Sequence, residues 1–295
     1  MTENIADIDA IEKSLSQKNL NKFIDAWTQR KEHYAKFYSE TLRLVKKNLG
    51  EEEIFKWAKH LATRKDTRSL SCLILSLRNP FPRHEEEVKE LLLSLANDER
   101  WETRESAAYA FASVLLKNFE KVHSLFQDWV KHDSENVRRA VTLAAKYVAK
   151  ARKPEFGEPL LRLIEPLLSD KSVYVRKNLG PFAVGDGILR AYPNLTMQYI
   201  EKWSQSQDEQ VLWNVAMVFS SAEGAKHCDE ALPILRRLAA DERRYVWGAV
   251  SSALRILGRR NPKRVKPELK RWLLDEKRRK VAEVALYYIE RRKRK

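Results

Sequence analysis

The sequence predicts an all-α protein, a solenoid built from repeated pairs of helices. A segment led by an acidic residue recurs at intervals of 35, 37, 38, 33 and 34 residues, and a period of this size is typical of helical solenoids. Apolar residues recur three and four positions apart and rarely alternate, which indicates helices rather than strands. The six segments begin at Asp98, Asp133, Asp170, Asp208, Asp241 and Asp275.

The helix pairs follow one another from residue 83 onward. We expect six repeats over residues 83–291 and a basic tail over residues 292–295. The recurrent Asp lies at the link inside each pair, where it can cap the second helix by accepting its free N–H groups. We predict first helices near 85–96, 119–131, 155–168, 193–205, 227–239 and 262–274, and second helices near 100–117, 135–151, 172–190, 209–220, 243–258 and 277–291.

Residues 1–82 are expected to form a helical N-terminal cap, because a terminal repeat would otherwise expose its apolar face. One long amphipathic helix is predicted from Asn19 to near Gly50, followed by a second from Glu51 and a third before the prolines of residues 79–82.

One second helix contains unusual residues. Pro181 should kink the helix. Three glycines beside it indicate close helix packing in preference to ligand contact. They are Gly180, Gly185 and Gly187.

The charge of the chain is concentrated at one end. The net charge is +15, and residues 236–295 hold 21 Lys or Arg against 7 Asp or Glu, whereas the first 235 residues hold 35 against 34. A concentrated positive field attracts polyanions, although a solvated surface without a partner is the alternative. Apolar runs are too short to span a membrane, and the two distant cysteines suggest no disulfide framework. We expect a monomeric, basic, cytoplasmic protein without metal or cofactor.

The residues five to seven positions after each repeat Asp are rich in Arg and Trp. Arg suits phosphate, and Trp suits a sugar or base. The alternative for Arg104, Arg139 and Arg176 is an internal ladder that joins each Arg to the Asp of a neighbouring repeat. The alternative for the Trp residues is packing between repeats. The candidate DNA-binding residues are Arg138, Arg139, Arg176, Lys177, Trp213, Trp247, Arg243, Arg244, Arg278, Arg279 and Lys280; of these, Arg138 and Lys177 lie beside ladder positions and are the better ligand candidates.

Residues 169–219 resemble the HEAT-like repeats of the AlkC/AlkD-type DNA alkylation repair superfamily. The resemblance rests on Gly185-Asp186, on Tyr192-Pro193 and on Trp203. It implies a right-handed α-solenoid of HEAT-like repeats whose basic concave face holds duplex DNA. Active members of the superfamily are monofunctional glycosylases that release N3- or N7-alkylated purines without a metal, by means of a carboxylate near the lesion.

The position of that carboxylate depends on the register of the resemblance. One register places it near Ser106, with Glu105 beside it and Trp101 at the Trp position, and the other places it at Asn178. Asn cannot supply a negative charge, so Glu105 and Glu102 are the candidate catalytic acids, and the solvated surface is the alternative for both.

Three functions therefore remain open: a DNA-binding protein without the catalytic acid, an alkylpurine DNA glycosylase and a protein-binding scaffold. Walker loops, zinc-spaced Cys pairs and HExxH helices are absent from the sequence, which disfavours nucleotide hydrolysis and zinc chemistry.

Overall fold

The fold is all-α in this computed structural model, which describes residues 3–30, 35–78 and 80–291. Those residues contain seventeen α-helices and no strand, so the predicted class of HEAT-like helical repeats is confirmed. No helix in those ranges is long and apolar enough to cross a membrane. The chain divides into two compact units, an N-terminal unit Met1–Leu125 and a C-terminal unit Phe126–Lys295.

The described part of the N-terminal unit contains seven complete helices. The single helix predicted from Asn19 to Gly50 is wrong, because the second helix ends at Gln29 and Arg30 takes an extended ψ of 139°. Residues 31–34, where the two helices would join, lie outside the described residues. The helices are α1 Glu3–Ser16, α2 Leu20–Gln29, α3 Ala35–Asn48, α4 Glu51–Ala62, α5 Arg68–Leu75, α6 Glu85–Ala96 and α7 Trp101–Lys117.

Helix pairing begins before residue 83. Helix α5 packs against α4, and it also packs against α7, the second helix of the next pair. Arg68 of α5 donates to a carboxylate oxygen of Asp98 at 2.7 Å, and that carboxylate is 4% exposed. An ion pair therefore joins neighbouring helix pairs within the N-terminal unit.

The C-terminal unit repeats the same arrangement. Helix α8 (Phe119–Trp129) crosses the boundary between the units. The second helices of the pairs pack against one another in chain order, except that the residues after Asn178, and not Val173–Asn178, pack against the helix that begins at Glu209. They are α9 Glu135–Ala149, α11 Val173–Asn178, α13 Glu209–Val218, α15 Arg244–Arg260 and α17 Glu276–Glu290, and the first helices are α10 Gly157–Ile164, α12 Pro193–Trp203, α14 Cys228–Leu238 and α16 Pro262–Trp272.

The helix that contains Pro181 is not simply kinked. Helix α11 ends at Asn178 and continues as a π-helix over Leu179–Leu189. The expected close packing at its glycines is confirmed. A Cβ would lie 2.7 Å from the backbone oxygen of Asn214 at Gly180, 2.5 Å from Ser221 Oγ at Gly185, and 2.6 Å from Lys146 Cγ at Gly187.

The recurrent Asp residues occupy three structural positions. Asp208 and Asp275 are N-caps and accept backbone N–H groups of the helix that follows, as expected. The expected capping is wrong for Asp98, Asp170 and Asp241, which lie two residues before the N-cap and accept its N–H. The expectation for Asp133 is wrong, because His132 Nδ1 takes that role and Ser134 is the cap.

One ladder rung is complete in the C-terminal unit. Arg138 of α9 donates to both oxygens of Asp170, at 2.6 and 3.1 Å. It also donates to the carbonyl oxygens of His132 and Asp133, each at 2.8 Å. The hydrogen bond with Asp170 raises the pKa of Arg138. This rung fixes the spacing between α9 and α11.

Replacing Asp170 by Asn should lower the free energy of unfolding by about 2 kcal/mol, because a hydrogen-bonded charge is lost while Arg138 stays half-buried. Asp133→Asn is the matched control: it removes a repeat Asp whose side chain is exposed, and its effect should stay within about 0.5 kcal/mol. Urea unfolding of both variants measures the difference. Equal losses in the two variants would contradict the ladder.

Candidate nucleic-acid interface

The stacked second helices of the C-terminal unit place one side chain each at equivalent positions. Aligning the helices by their N-caps, rather than by the repeat Asp, sets the register. The caps are Ser134, Ser172, Asp208, Arg243 and Asp275. The residues five positions beyond them, which we call the basic row, are Arg139, Lys177, Trp213, Gly248 and Lys280.

This register corrects two expectations made from the sequence. The ladder residue is Arg138, not Arg139, because Arg138 pairs with Asp170. Trp247 does not occupy the same row as Trp213, since Gly248 stands there. Trp247 lies one position earlier, where its ring packs beneath the ammonium of Lys280, 4.5 Å from the ring centroid.

Two cations of α9 lie against aromatic rings. The guanidinium of Arg139, a residue only 9% exposed, is 4.6 Å from the ring centroid of Tyr174. The ammonium of Lys146 is 2.7 Å from the ring centroid of Phe182. Both rings come from the next second helix or its π-helical continuation, so cation–π contacts join neighbouring repeats.

The next rung of the ladder lacks its carboxylate. Ser206 occupies the position of Asp170, because its hydroxyl accepts the N–H of the cap Asp208 at 3.1 Å. The corresponding Arg176 instead donates to Gln210 Oε1 at 3.2 Å. Tyr245 donates to the same oxygen at 2.6 Å. Arg176 is therefore held in place by a neutral amide instead of by a carboxylate.

An aromatic pair lies beside Arg176. Its guanidinium is 5.5 Å from the ring centroid of Tyr245. Tyr245 stacks in turn on Trp213, with centroids 5.9 Å apart and planes 14° apart. The expected alternative for Trp213, packing between repeats, is therefore observed, and the indole remains half-exposed.

The remaining candidate cations fall into two groups. Arg243 is held by both oxygens of Asp241, and Arg278 by Asp275 and the carbonyl oxygen of Arg236. The others are exposed. They are Lys177, Arg244, Arg279 and Lys280.

The candidate acids lie in the N-terminal unit. Glu105 is half-buried and stands five positions after the cap Arg100, the offset that defines the basic row in the other unit. Glu102 is exposed. Trp101, the first residue of the same helix, is 64% exposed.

Asn178, where one register of the resemblance placed the carboxylate, and Asn214 both have structural hydrogen bonds. Asn178 donates to the carbonyl oxygen of Tyr174 at 2.8 Å. Asn214 is fully buried. It donates to the carbonyl oxygen of Leu168 and accepts the N–H of Gly180. Asn214 thus joins α13 to the start of the π-helix.

Sequence reasoning missed Tyr245 as a member of this site. Tyr245 had a signal, because the repeat segments at 170 and 241 share a Tyr-Val pair at Tyr174 and Tyr245. Gly248 lay within the segment counted from Asp241, but its alignment with Trp213 emerges only when the helices are aligned by their caps.

The comparisons with known proteins identify the family. The model of the DNA alkylation repair enzyme family matches residues 39–192, and the chain belongs to this family. No curated protein matches the chain.

Two solved structures are similar to the chain at low identity. Escherichia coli YibA is 20% identical, with 88% of this chain and 89% of that chain covered and a TM-score of 0.38. An engineered protein is 15% identical, with 97% and 84% covered and a TM-score of 0.34. At these scores neither structure informs the function of the chain.

Metal chemistry finds no support in the site. Within residues 3–30, 35–78 and 80–291, no three His, Cys, Asp or Glu side chains are placed to hold an ion. What the C-terminal unit offers is positive charge and aromatic surface on adjacent helices, an arrangement that can bind a polyanion.

Proposed function

We propose that the C-terminal unit binds duplex DNA by its phosphate backbone, with little sequence preference. The observation that carries the proposal is that three exposed cations, Lys177, Arg244 and Lys280, lie on second helices of the same stack. Among the described residues, none of the three has a carboxylate within salt-bridge distance. Cations of this kind are available to phosphates.

The DNA alkylation repair family supports DNA as the polyanion. The broken ladder adds a fourth positive group, because Arg176 lies beside the ring of Tyr245, which stacks in turn on the half-exposed Trp213. Arg provides several N–H donors for phosphate, and an indole offers a flat face to a sugar or base. The side chains of Asn178 and Asn214 are neutral amides and not carboxylates. The proposal therefore includes no catalytic acid in the C-terminal unit.

The salt dependence of binding tests the proposal. Three or four phosphate contacts predict that the logarithm of affinity falls with the logarithm of salt concentration with a slope of about −3. Fluorescence anisotropy with duplexes of two unrelated sequences should give this slope for both. If the protein does not retain DNA at low salt, the proposal fails, and the protein-binding scaffold becomes the better function.

Glycosylase activity is the second candidate function. Glu105 favours this function because it lies five positions after its N-cap, as the residues of the basic row do in the C-terminal unit. Trp101, which is exposed on the same helix, also favours it. A carboxylate could stabilise positive charge on the sugar as an alkylated base departs. Release of N7-methylguanine from methylated DNA, lost in Glu105→Gln and retained in Glu102→Gln, would establish this function and refute a purely binding role.

A further inference from the structure

The basic row has a gap at Gly248. Its neighbours in the row, Trp213 and Lys280, have long side chains, whereas glycine leaves an open depression of about 540 Å³ between α13 and α15. Such a volume is within the roughly 300–1,000 Å³ of small-ligand sites. The lining residues are Trp213, Met217, Arg244, Tyr245, Gly248, Ala249 and Ser252.

One wall of the depression is flat and aromatic. Trp213 and Tyr245 stack with their planes only 14° apart. Tyr245 is fixed from behind, because its hydroxyl donates to Gln210, a residue that is 8% exposed. The wall is therefore ordered before any ligand arrives, which lowers the entropy lost on binding.

The floor and rim of the depression provide open space, a hydrogen-bond acceptor and a cation. A Cβ at Gly248 would meet nothing within 4 Å, so the space above the helix is open. The hydroxyl of Ser252 donates to the carbonyl oxygen of Gly248 at 3.0 Å, which leaves its oxygen free to accept. Arg244 is exposed and provides the cation among the lining residues.

We propose that this depression holds one unpaired nucleobase of DNA, stacked on Trp213, with the adjoining phosphate on Arg244. The inference rests on the proposed DNA binding and adds a preference for duplexes with an extrahelical base. A flat aromatic wall accepts the face of any base, because stacking does not depend on hydrogen-bond pattern. The single cation matches the single phosphate that accompanies such a base.

Filling the depression without changing its charge tests the inference. Gly248→Leu occupies the open space, and it should fold because leucine is the better helix former. Gly248→Ala is the matched control, since one methyl group leaves most of the volume open. The probes are a fully paired duplex and the same duplex with one extrahelical thymine.

We expect the unaltered protein and Gly248→Ala to bind the bulged duplex about tenfold more tightly than the paired one, a factor within the range for one stacked base. Gly248→Leu should bind both duplexes with the affinity that the unaltered protein has for the paired one. Equal affinity of the unaltered protein for the two duplexes, or a preference that survives in Gly248→Leu, overturns the inference while the proposed DNA binding stands. If the unaltered protein binds neither duplex, the proposed function is refuted as well.

A last experiment distinguishes DNA from a free nucleotide as the ligand of the depression. Thymidine monophosphate, followed by tryptophan fluorescence, should bind far more weakly than the bulged duplex, because it lacks the flanking phosphates that contact Lys177 and Lys280. Equal affinities would overturn the assignment of the site to DNA.

Discussion

Replacing Lys177, Arg244 and Lys280 together by Glu should lower the affinity for duplex DNA by about 100-fold or more at low salt, because each change removes a phosphate contact and adds a repulsive charge. The three residues are exposed on α11, α15 and α17, so the substitutions should leave the fold intact. The same variant should show a much shallower dependence of affinity on salt, since fewer ions are released on binding.

A control with the same change in net charge exists on the first helices. Arg236, Lys263 and Arg271 are exposed on α14 and α16. Their joint replacement by Glu changes the charge of the protein equally but leaves the basic row untouched. We expect this control to weaken binding by less than about tenfold, because exposed charges beyond a Debye length are largely screened. Equal losses in the two triple variants would show that net charge, and not the three cations Lys177, Arg244 and Lys280, binds DNA.

Gly180→Ala should lower the free energy of unfolding by about 2–3 kcal/mol, although alanine is the better helix former. The added Cβ would lie 2.7 Å from the backbone oxygen of Asn214 and 3.1 Å from its Cα, so neither contact can be relieved by rotating a side chain. It would also disturb the hydrogen bond from the Gly180 N–H to the side chain of Asn214. Urea unfolding measures the loss.

The same substitution at Gly248 should have the opposite sign. A Cβ there meets nothing within 4 Å, so Gly248→Ala should raise the free energy of unfolding by about 0.5–1 kcal/mol through helix propensity alone. If Gly180→Ala and Gly248→Ala are both more stable than the unaltered protein, the π-helix does not pack closely on α13 at Asn214. The pair thus tests the structure independently of any function.

The sequence predicted the helix pairs well because each pair carries its own local signals. The predicted helix at 193–205 corresponds to Pro193–Trp203, and the one at 85–96 to Glu85–Ala96. A proline in the first turn and an apolar stripe act within a few residues. The long helix predicted across Arg30 was wrong because the apolar spacing continues through the break and conceals it.

The site was harder to predict, because its register depends on which residue begins each helix. Counting from the repeat Asp placed Trp247 beside Trp213, whereas counting from the caps places Gly248 there. The error arose because the repeat Asp stands at the cap, one residue before it or two residues before it in different repeats. The exchange of roles between Arg138 and Arg139 has the same origin.

The repeat period, the apolar spacing and the uneven charge determined by themselves that this protein is a chain of paired helices with an excess of cations near its C-terminus. Only the tertiary structure decided which cations form ion pairs inside the fold. Arg138 is paired with Asp170, but Arg176 faces Gln210 because Ser206 stands at the position of the missing carboxylate. Residues that meet across repeats are 30 or more positions apart, and no local pattern in a sequence records whether two such side chains touch.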